Sequence, residues 1–367
     1  SFQRRNVTSK YEKLSRLCRD TSTAMTIDLT AGNLRALTSC GGCAAKADSA
    51  LLKSLRVAAV GCEHSDTIIG LAEPDDAAVV AINETTSLIT TVDFFPPVVS
   101  DAFDYGYVSA LNALSDIYAM GGIPRTALLI CGFPSEMSES DMVACVTGAK
   151  QACLESAVEI VGGHTVRVSE AVFGLAATGY VHPKAIWRKS GMQSGDVLVL
   201  SKPLGTGVLL ATRDAIAEQI ALSQMRISNK AARDVLAGYG EKVHAVTDIT
   251  GFGLIGHISE MLGTQDLDVH LALSKTAVLS EAIDLFEKGI RTSADLRNRA
   301  SSDSITSGLA GHFSEAALFD PQTNGGLVAS VSPDLQGELE SQGFFAVGKI
   351  MTGSCVVHLA INEFCTS

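Results

Sequence analysis

Asp104-Tyr105-Gly106-Tyr107-Val108-Ser109-Ala110-Leu111-Asn112-Ala113-Leu114-Ser115-Asp116-Ile117-Tyr118-Ala119-Met120-Gly121-Gly122 reads as one helix, apolar or small on most sides and stopped by its paired glycines. Strand patterns flank it. Upstream, the acidic proline turn Glu73-Pro74-Asp75-Asp76 feeds an apolar run over 77–82 with the length of a buried strand, and 87–92 is a second strand ending in Asp93-Phe94-Phe95-Pro96-Pro97. Downstream come a strand over 126–133, a helix over 139–158, a short strand 158–161 running into Gly162-Gly163-His164-Thr165, and a strand over 172–181.

The chain turns polar around 182–195, where a domain boundary is expected. A second alternation follows: strand 197–201, a helix from Val208, helices over 228–236 and up to Leu262, a polar loop over 291–314, strand 327–331, helix 334–342, and strands 344–349 and 355–361. Strands alternating with helices in both halves predict two mixed α/β domains, 40–185 and 192–361, behind a polar segment 1–39 expected to be flexible or packed on the surface. No repeat of 20 to 50 residues occurs.

Composition narrows the function classes. With 367 residues, 46% hydrophobic content and a mean hydropathy of +0.24, the chain is globular and too long for one ordinary core. A net charge of −12 opposes binding to a phosphate backbone, so nucleic acid is not expected as a partner. No uncharged apolar run reaches the roughly 20 residues of a membrane span. Nine cysteines, with Cys62, Cys131, Cys145 and Cys153 in apolar runs, fit small buried hydrophobes in a reducing, cytoplasmic setting. No signal-peptide core opens the chain, and the start at Ser1 without Met is read as a sign of trimming.

Cys40-Gly41-Gly42-Cys43-Ala44-Ala45-Lys46 puts two thiols and one ammonium on a glycine-loosened loop ahead of a helix expected from Asp48 onward. Lys46 favours the thiolate of Cys43 or meets an anionic ligand as a point charge. The loop stands open between inert and functional on these residues alone. A structural zinc site is not supported, because no second Cys-x-x-Cys or His-x-x-x-His accompanies it. Two phosphate-loop patterns are decoys. Residues 343–349 mimic a Walker loop but place Ile350 where Ser or Thr would hold magnesium, and Gly205-Thr206-Gly207 lacks the third glycine of a dinucleotide fingerprint.

Carboxylates at strand ends and on one helix face remain: Asp75, Asp76, Asp93, Asp116 and Asp248. Asn112 and Asp116 share a helix face, and Asp248 by itself reads more readily as a cap or turn acid. Two carboxylates about 4 Å apart repel by roughly 4 kcal/mol at an effective dielectric of about 20, so their convergence calls for divalent cations. Hard oxygens without Cys or His suit Mg²⁺, which shares itself with phosphate oxygens. Lys46 and the Gly162-Gly163 amides complete a site for a nucleotide triphosphate and phosphoryl transfer.

From about Leu37 to about Gly353 the chain resembles the selenophosphate synthetase (selenide, water dikinase) family. The matching motifs are Gly42-Cys43-Ala44-Ala45-Lys46, Asp75-Asp76-Ala77-Ala78-Val79, Thr91-Val92-Asp93-Phe94-Phe95, Asn112 to Gly122, Gly162-Gly163-His164-Thr165, Lys202-Pro203-Leu204-Gly205, Thr247-Asp248-Ile249-Thr250-Gly251-Phe252-Gly253 and Asp320-Pro321-Gln322-Thr323-Asn324-Gly325-Gly326. The resemblance implies a catalytic Cys43, an essential Lys46 that contacts ATP, and Mg²⁺ ligation by Asp76, Asp116 and Asp248. It puts Glu73, Pro74, Asp75, Asp93 and Gly162, Gly163 and His164 near ATP. It also implies the two-domain fold shared with aminoimidazole ribonucleotide synthetase, with N-terminal domains pairing into a homodimer around a β-barrel. The substrates implied are ATP and selenide, with a selenium-delivery protein as a further candidate partner. Relatives commonly read Gly-Cys-Gly-Cys-Lys, whereas here the extra thiol stands upstream at Cys40; the Cys43 to Lys46 spacing is kept. Three other readings stand beside this one: an enzyme phosphorylating a carbonyl oxygen, a non-catalytic nucleotide-binding paralogue, and a Cys40–Cys43 redox couple.

Overall fold

The apolar runs flanking the long helix become neighbours in one six-stranded sheet, built from β1 (Thr67–Ile69), β2 (Ala78–Asn83), β3 (Thr86–Phe95), β4 (Ile123–Phe133), β5 (Glu159–Arg167) and β6 (Val172–Val181). The computed structural model describes residues 33–38, 49–61, 64–302, 306–307 and 312–359, all within one compact unit, Gly32–Ser367. The sheet order is β1-β2-β3-β6-β4-β5, antiparallel throughout except that β4 and β5 run parallel. Helices α1 (Ser49–Ala59), α2 (Ala102–Ala119) and α3 (Glu139–Glu155) accompany it.

Asp101 caps α2, its carboxylate accepting the Asp104 backbone N–H at 2.9 Å. The helix is buried on every side, as its all-round apolar surface demands: one side lies on β3 and β6, the other on α3. Glycines set that helix crossing. A methyl group at Gly106 would stand 1.8 Å from the Cys145 carbonyl oxygen, and one at Gly148 1.9 Å from that of Phe103. The opposite face of the sheet has no helical cover among the described residues. Val92, Phe94, Ile123, Leu128, Val161 and Tyr180 are exposed there or along the β5 edge.

Seven strands form the second sheet: β7 (Val197–Leu200), β8 (Val243–Asp248), β9 (Leu267–Leu271), β10 (Thr306–Ser307), β11 (Leu327–Val331), β12 (Phe345–Thr352) and β13 (Val357–Leu359), ordered β10-β13-β9-β12-β7-β11-β8. Every residue of β7 and β11 is buried, so layers cover both faces of this sheet at those two strands. Those layers come from α4 (Thr206–Ala211), α5 (Ala215–Met225), α6 (Lys230–Ala237), α7 (Gly253–Leu262), α8 (Ser280–Glu287), α9 (Asp295–Ser302), α10 (Phe313–Phe319) and α11 (Gln336–Ser341). The Walker-like stretch runs into β12 and forms no phosphate loop.

Two expectations are corrected. The diglycine Gly162-Gly163 lies inside β5, not after it: the β4–β5 register shifts at Leu128, and β4 comes so near that a methyl group at Gly163 would stand 2.5 Å from the Leu129 carbonyl oxygen. The expected loop over 291–314 contains α9, whose buried face is polar. Asp295, Asn298 and Ser302 point inward, Asn298 donates to the Gly251 and Phe319 carbonyls, and Arg299 pairs with Asp295 at 2.7 Å, so no apolar period marks the helix. Within the segment 1–39, residues 33–38 are described, and they dock: Leu34 is buried and Arg35 pairs with Glu218 at 3.0 Å. The rest of that segment lies outside the described residues. The helix expected after Asp48 is present as α1, with Leu51, Leu55 and Val57 exposed. No helix among the described residues is long and apolar enough to cross a membrane.

Candidate active site

The acidic turn before β2 is the anchor. Asp75 accepts the backbone N–H of Asp76 at 2.9 Å and that of Lys189 at 3.0 Å, which draws the polar segment between the sheets onto the turn. Burial, and then the neighbouring Asp76 charge, push the Asp75 carboxyl up to about 6 against those two N–H donors. The Asp76 side chain is only 4% exposed, and its Oδ1 accepts from Lys189 Nζ at 3.0 Å and from Thr247 Oγ1 on β8 at 2.9 Å. Its Oδ2 is buried with no hydrogen-bond partner among the described residues. Burial raises the Asp76 carboxyl, opposed by Lys189 and Thr247. Burial alone would lower the Lys189 ammonium, but the charges of Asp76 and of Glu260, 2.9 Å away, outweigh it and hold it well above its ordinary value.

A second set of contacts stands beside the first. Ala78 of β2 pairs with Thr90 of β3, so Asp76 precedes β2 next to the Thr91–Asp93 stretch. Thr91 Oγ1 donates to Asp116, and Asn112 Nδ2, one turn earlier on the same helix face, donates to Asp93. Asn112 Oδ1 accepts the Asn324 backbone N–H at 2.7 Å. Two residues on, Gly326 accepts the Ile249 N–H at 2.9 Å, and Leu327 pairs with Asp248 at the end of β8. Buried Lys202 donates to the Asn324 carbonyl at 2.9 Å, and Gln322 Oε1 accepts from Thr206 Oγ1 at 2.7 Å. The Asp320 to Gly326 motif therefore joins the second sheet to the middle of α2.

Asp75, Asp76, Asp93, Asp116 and Asp248 thus belong to one corner, linked by hydrogen bonds through Thr247, Thr91, Asn112 and Asn324. Mg²⁺ takes one or two carboxylates and completes its shell with water and phosphate. The stranded Asp76 Oδ2 and the all-oxygen donor set fit that cation. Glu73 and Pro74 are exposed at the rim. Gly162, Gly163 and His164 are not in this corner: they lie exposed on the β5 edge, four strand spacings or roughly 19 Å from β2. Cys40, Cys43 and Lys46 lie outside the described residues.

Sequence reasoning missed Lys189, Thr247, Thr91 and Glu260. Lys189 sits in the basic run Arg188-Lys189, where a solvent-facing linker is the default reading; only its contact with Asp76, more than a hundred residues earlier, distinguishes it.

Residues 74–181 match the family model for AIR synthase related protein, N-terminal domain, and residues 193–349 that for its C-terminal domain. Selenide, water dikinase of Paraburkholderia xenovorans is 37% identical over 342 residues, covering 88% of this chain and 96% of its own. The chain belongs to the selenide, water dikinase family. The Pelobacter propionicus member of the family is 39% identical over 274 residues, 73% of this chain and 78% of its own. The wider fold recurs in thiamine monophosphate kinase from Aquifex aeolicus, with a TM-score of 0.60, 17% identity and coverage of 84% of this chain and 96% of that one. It recurs also in the HypE–HypF complex, with a TM-score of 0.62, 15% identity and coverage of 86% and 97%. The mixed α/β architecture expected from the alternation is the one these structures share.

Proposed function

We infer that the protein is a selenophosphate synthetase: it converts ATP, selenide and water to selenophosphate, AMP and orthophosphate. Identity to selenide, water dikinases over most of the chain supports this reading, and the geometry adds one observation of its own. Asp76 is buried with one oxygen left for a cation, and it is held there by Lys189 and by Thr247 beside Asp248. Mg²⁺ bound by Asp76, Asp116 and Asp248 would neutralise phosphate charge and orient the triphosphate. Asp93 is oriented by Asn112, and Asp75 ties the segment around Lys189 to the rim. Cys43 delivers or orients selenide, and Lys46 offsets charge on the transferring phosphoryl group. The reaction is placed in the cytoplasm, where thiols and selenide stay reduced.

Incubation with ATP, Mg²⁺ and selenide is expected to yield AMP by chromatography and a phosphorus–selenium resonance by phosphorus NMR; ATP left intact would overturn the assignment. In the same assay Lys46→Ala is expected to abolish turnover while ATP still binds by equilibrium dialysis. Unchanged turnover would remove Lys46 from the chemistry.

The uncovered apolar face of the first sheet supports a homodimer, in which the β5 edge of one subunit supplies Gly162, Gly163 and His164 to the acidic corner of its partner. Mixing Asp76→Asn and His164→Ala proteins tests this. If each site draws on both chains, half of the mixed dimers' sites are intact and roughly a quarter of wild-type activity returns at random pairing. No recovery would assign each site to a single chain.

A further inference from the structure

Far from the acidic corner, β9 and β13 run side by side in parallel and put His270 directly opposite His358. Asp268, two residues before His270, points from the same face of the sheet. The imidazole rings stack, with centroids 4.6 Å apart and planes 18° from parallel, so binding one ion requires them to turn until a nitrogen of each points at it, and His358 Nε2 lies 3.2 Å from Asp268 Oδ2. One donor atom from each of the three residues lies within 4.8 Å of the other two, and all three side chains are half-buried.

The geometry points to a site for a borderline divalent transition-metal ion of the Zn²⁺ class, bound by Asp268, His270 and His358. Two ligands at about 2.05 Å from a tetrahedral ion stand about 3.3 Å apart, which the 3.2 Å separation of His358 Nε2 and Asp268 Oδ2 matches. The carboxylate is also oriented for the task. Asp268 Oδ1 accepts the Ser354 and Val356 backbone N–H groups at 2.8 and 2.9 Å, which turns Oδ2 toward the imidazoles. Such outer contacts fix a ligand before the ion arrives. Two imidazoles and one carboxylate select this class over Mg²⁺, and the open side of the sheet leaves the fourth position to water. Three strands separate β9 from β8, so the site stands roughly 19 Å from Asp248 and pins the β9–β13 edge without entering the phosphoryl chemistry. His358 lies 90 residues after Asp268, beyond the reach of any spacing motif.

Lys349 is opposite His270 across β12 on the same exposed face, and its charge weakens the ion's hold. Co²⁺ added to the full chain in Mg²⁺ buffer is the direct probe. One equivalent is expected to give the visible bands of low-coordinate cobalt without a thiolate charge-transfer band, and to raise Tm. His270→Gln and His358→Gln are each expected to weaken binding at least about tenfold, with metal-free Tm and Mg²⁺-dependent selenide turnover unchanged. Lys349→Met is expected to tighten it several-fold. Absence of the bands, a thiolate band placing the ion at cysteines, or binding unaffected by both histidine variants would overturn the site.

Discussion

Asp76→Asn is expected to lower selenide-dependent AMP formation by at least about a hundredfold, the scale on which loss of one preorganised electrostatic group acts. The amide keeps the shape of the carboxylate and still accepts from Thr247, so the change removes charge and a cation ligand more than volume. Stability falls as well. Lys189 is left without its buried counter-ion, a loss that costs roughly 3–5 kcal/mol for a fully buried pair. Here Glu260, 2.9 Å from Lys189 Nζ and 43% exposed, remains as a partner, so about 2 kcal/mol is expected from urea denaturation. The double variant Asp76→Asn/Lys189→Met separates the two effects. Replacing both members of a buried ion pair restores stability, while turnover stays low because the cation ligand is still missing. Recovery of turnover in the double variant would show that the single variant fails through misfolding, and the magnesium role of Asp76 would fall.

Gly106→Ala is expected to destabilise the protein by at least about 3 kcal/mol, the upper range for overpacking. The added methyl group would meet the Cys145 carbonyl oxygen at 1.8 Å and its carbon at 2.6 Å, and a helix backbone cannot step aside as a side chain does. Gly148→Ala, which meets the Phe103 carbonyl at 1.9 Å from the other side, should behave alike. Gly337→Ala in α11, with nothing within 4 Å, is the control and is expected to gain up to about 1 kcal/mol from reduced unfolded-chain entropy. Denaturation midpoints for the three proteins decide it; a Gly106→Ala protein as stable as the Gly337→Ala control would refute the tight α2–α3 crossing. The same crossing presents Asn112 and Asp116 to β3, so a shifted α2 also displaces the site.

Much of the architecture was legible because it is written in short periods. The α2 helix declared itself by a long run of mostly apolar and small residues ending in Gly121-Gly122, and β11 by five consecutive apolar or small residues between turns. Where the local signal and the burial disagreed, the reading failed. In α9 the inward face is Asp295, Asn298 and Ser302, stabilised by hydrogen bonds to carbonyls of other segments, and no hydrophobic period exists to be seen. Gly162 and Gly163 looked like a loop because two adjacent glycines weaken a strand; β4's close approach to Gly163 is what makes a strand with glycine there possible.

The sequence by itself determined the alternating α/β class, the family and the acidic residues worth following, since spacing of two or three to four residues encodes local structure and ordered motifs encode descent. Only the tertiary structure decided that β6 inserts between β3 and β4, that Lys189 and Thr247 hold Asp76, that Asn112 bridges Asp93 to Asn324, and that Asp268, His270 and His358 meet. Those pairings join residues far apart in the chain, and their energy comes from charge and hydrogen-bond complementarity across packed layers, which leaves no periodic trace in either partner's neighbourhood.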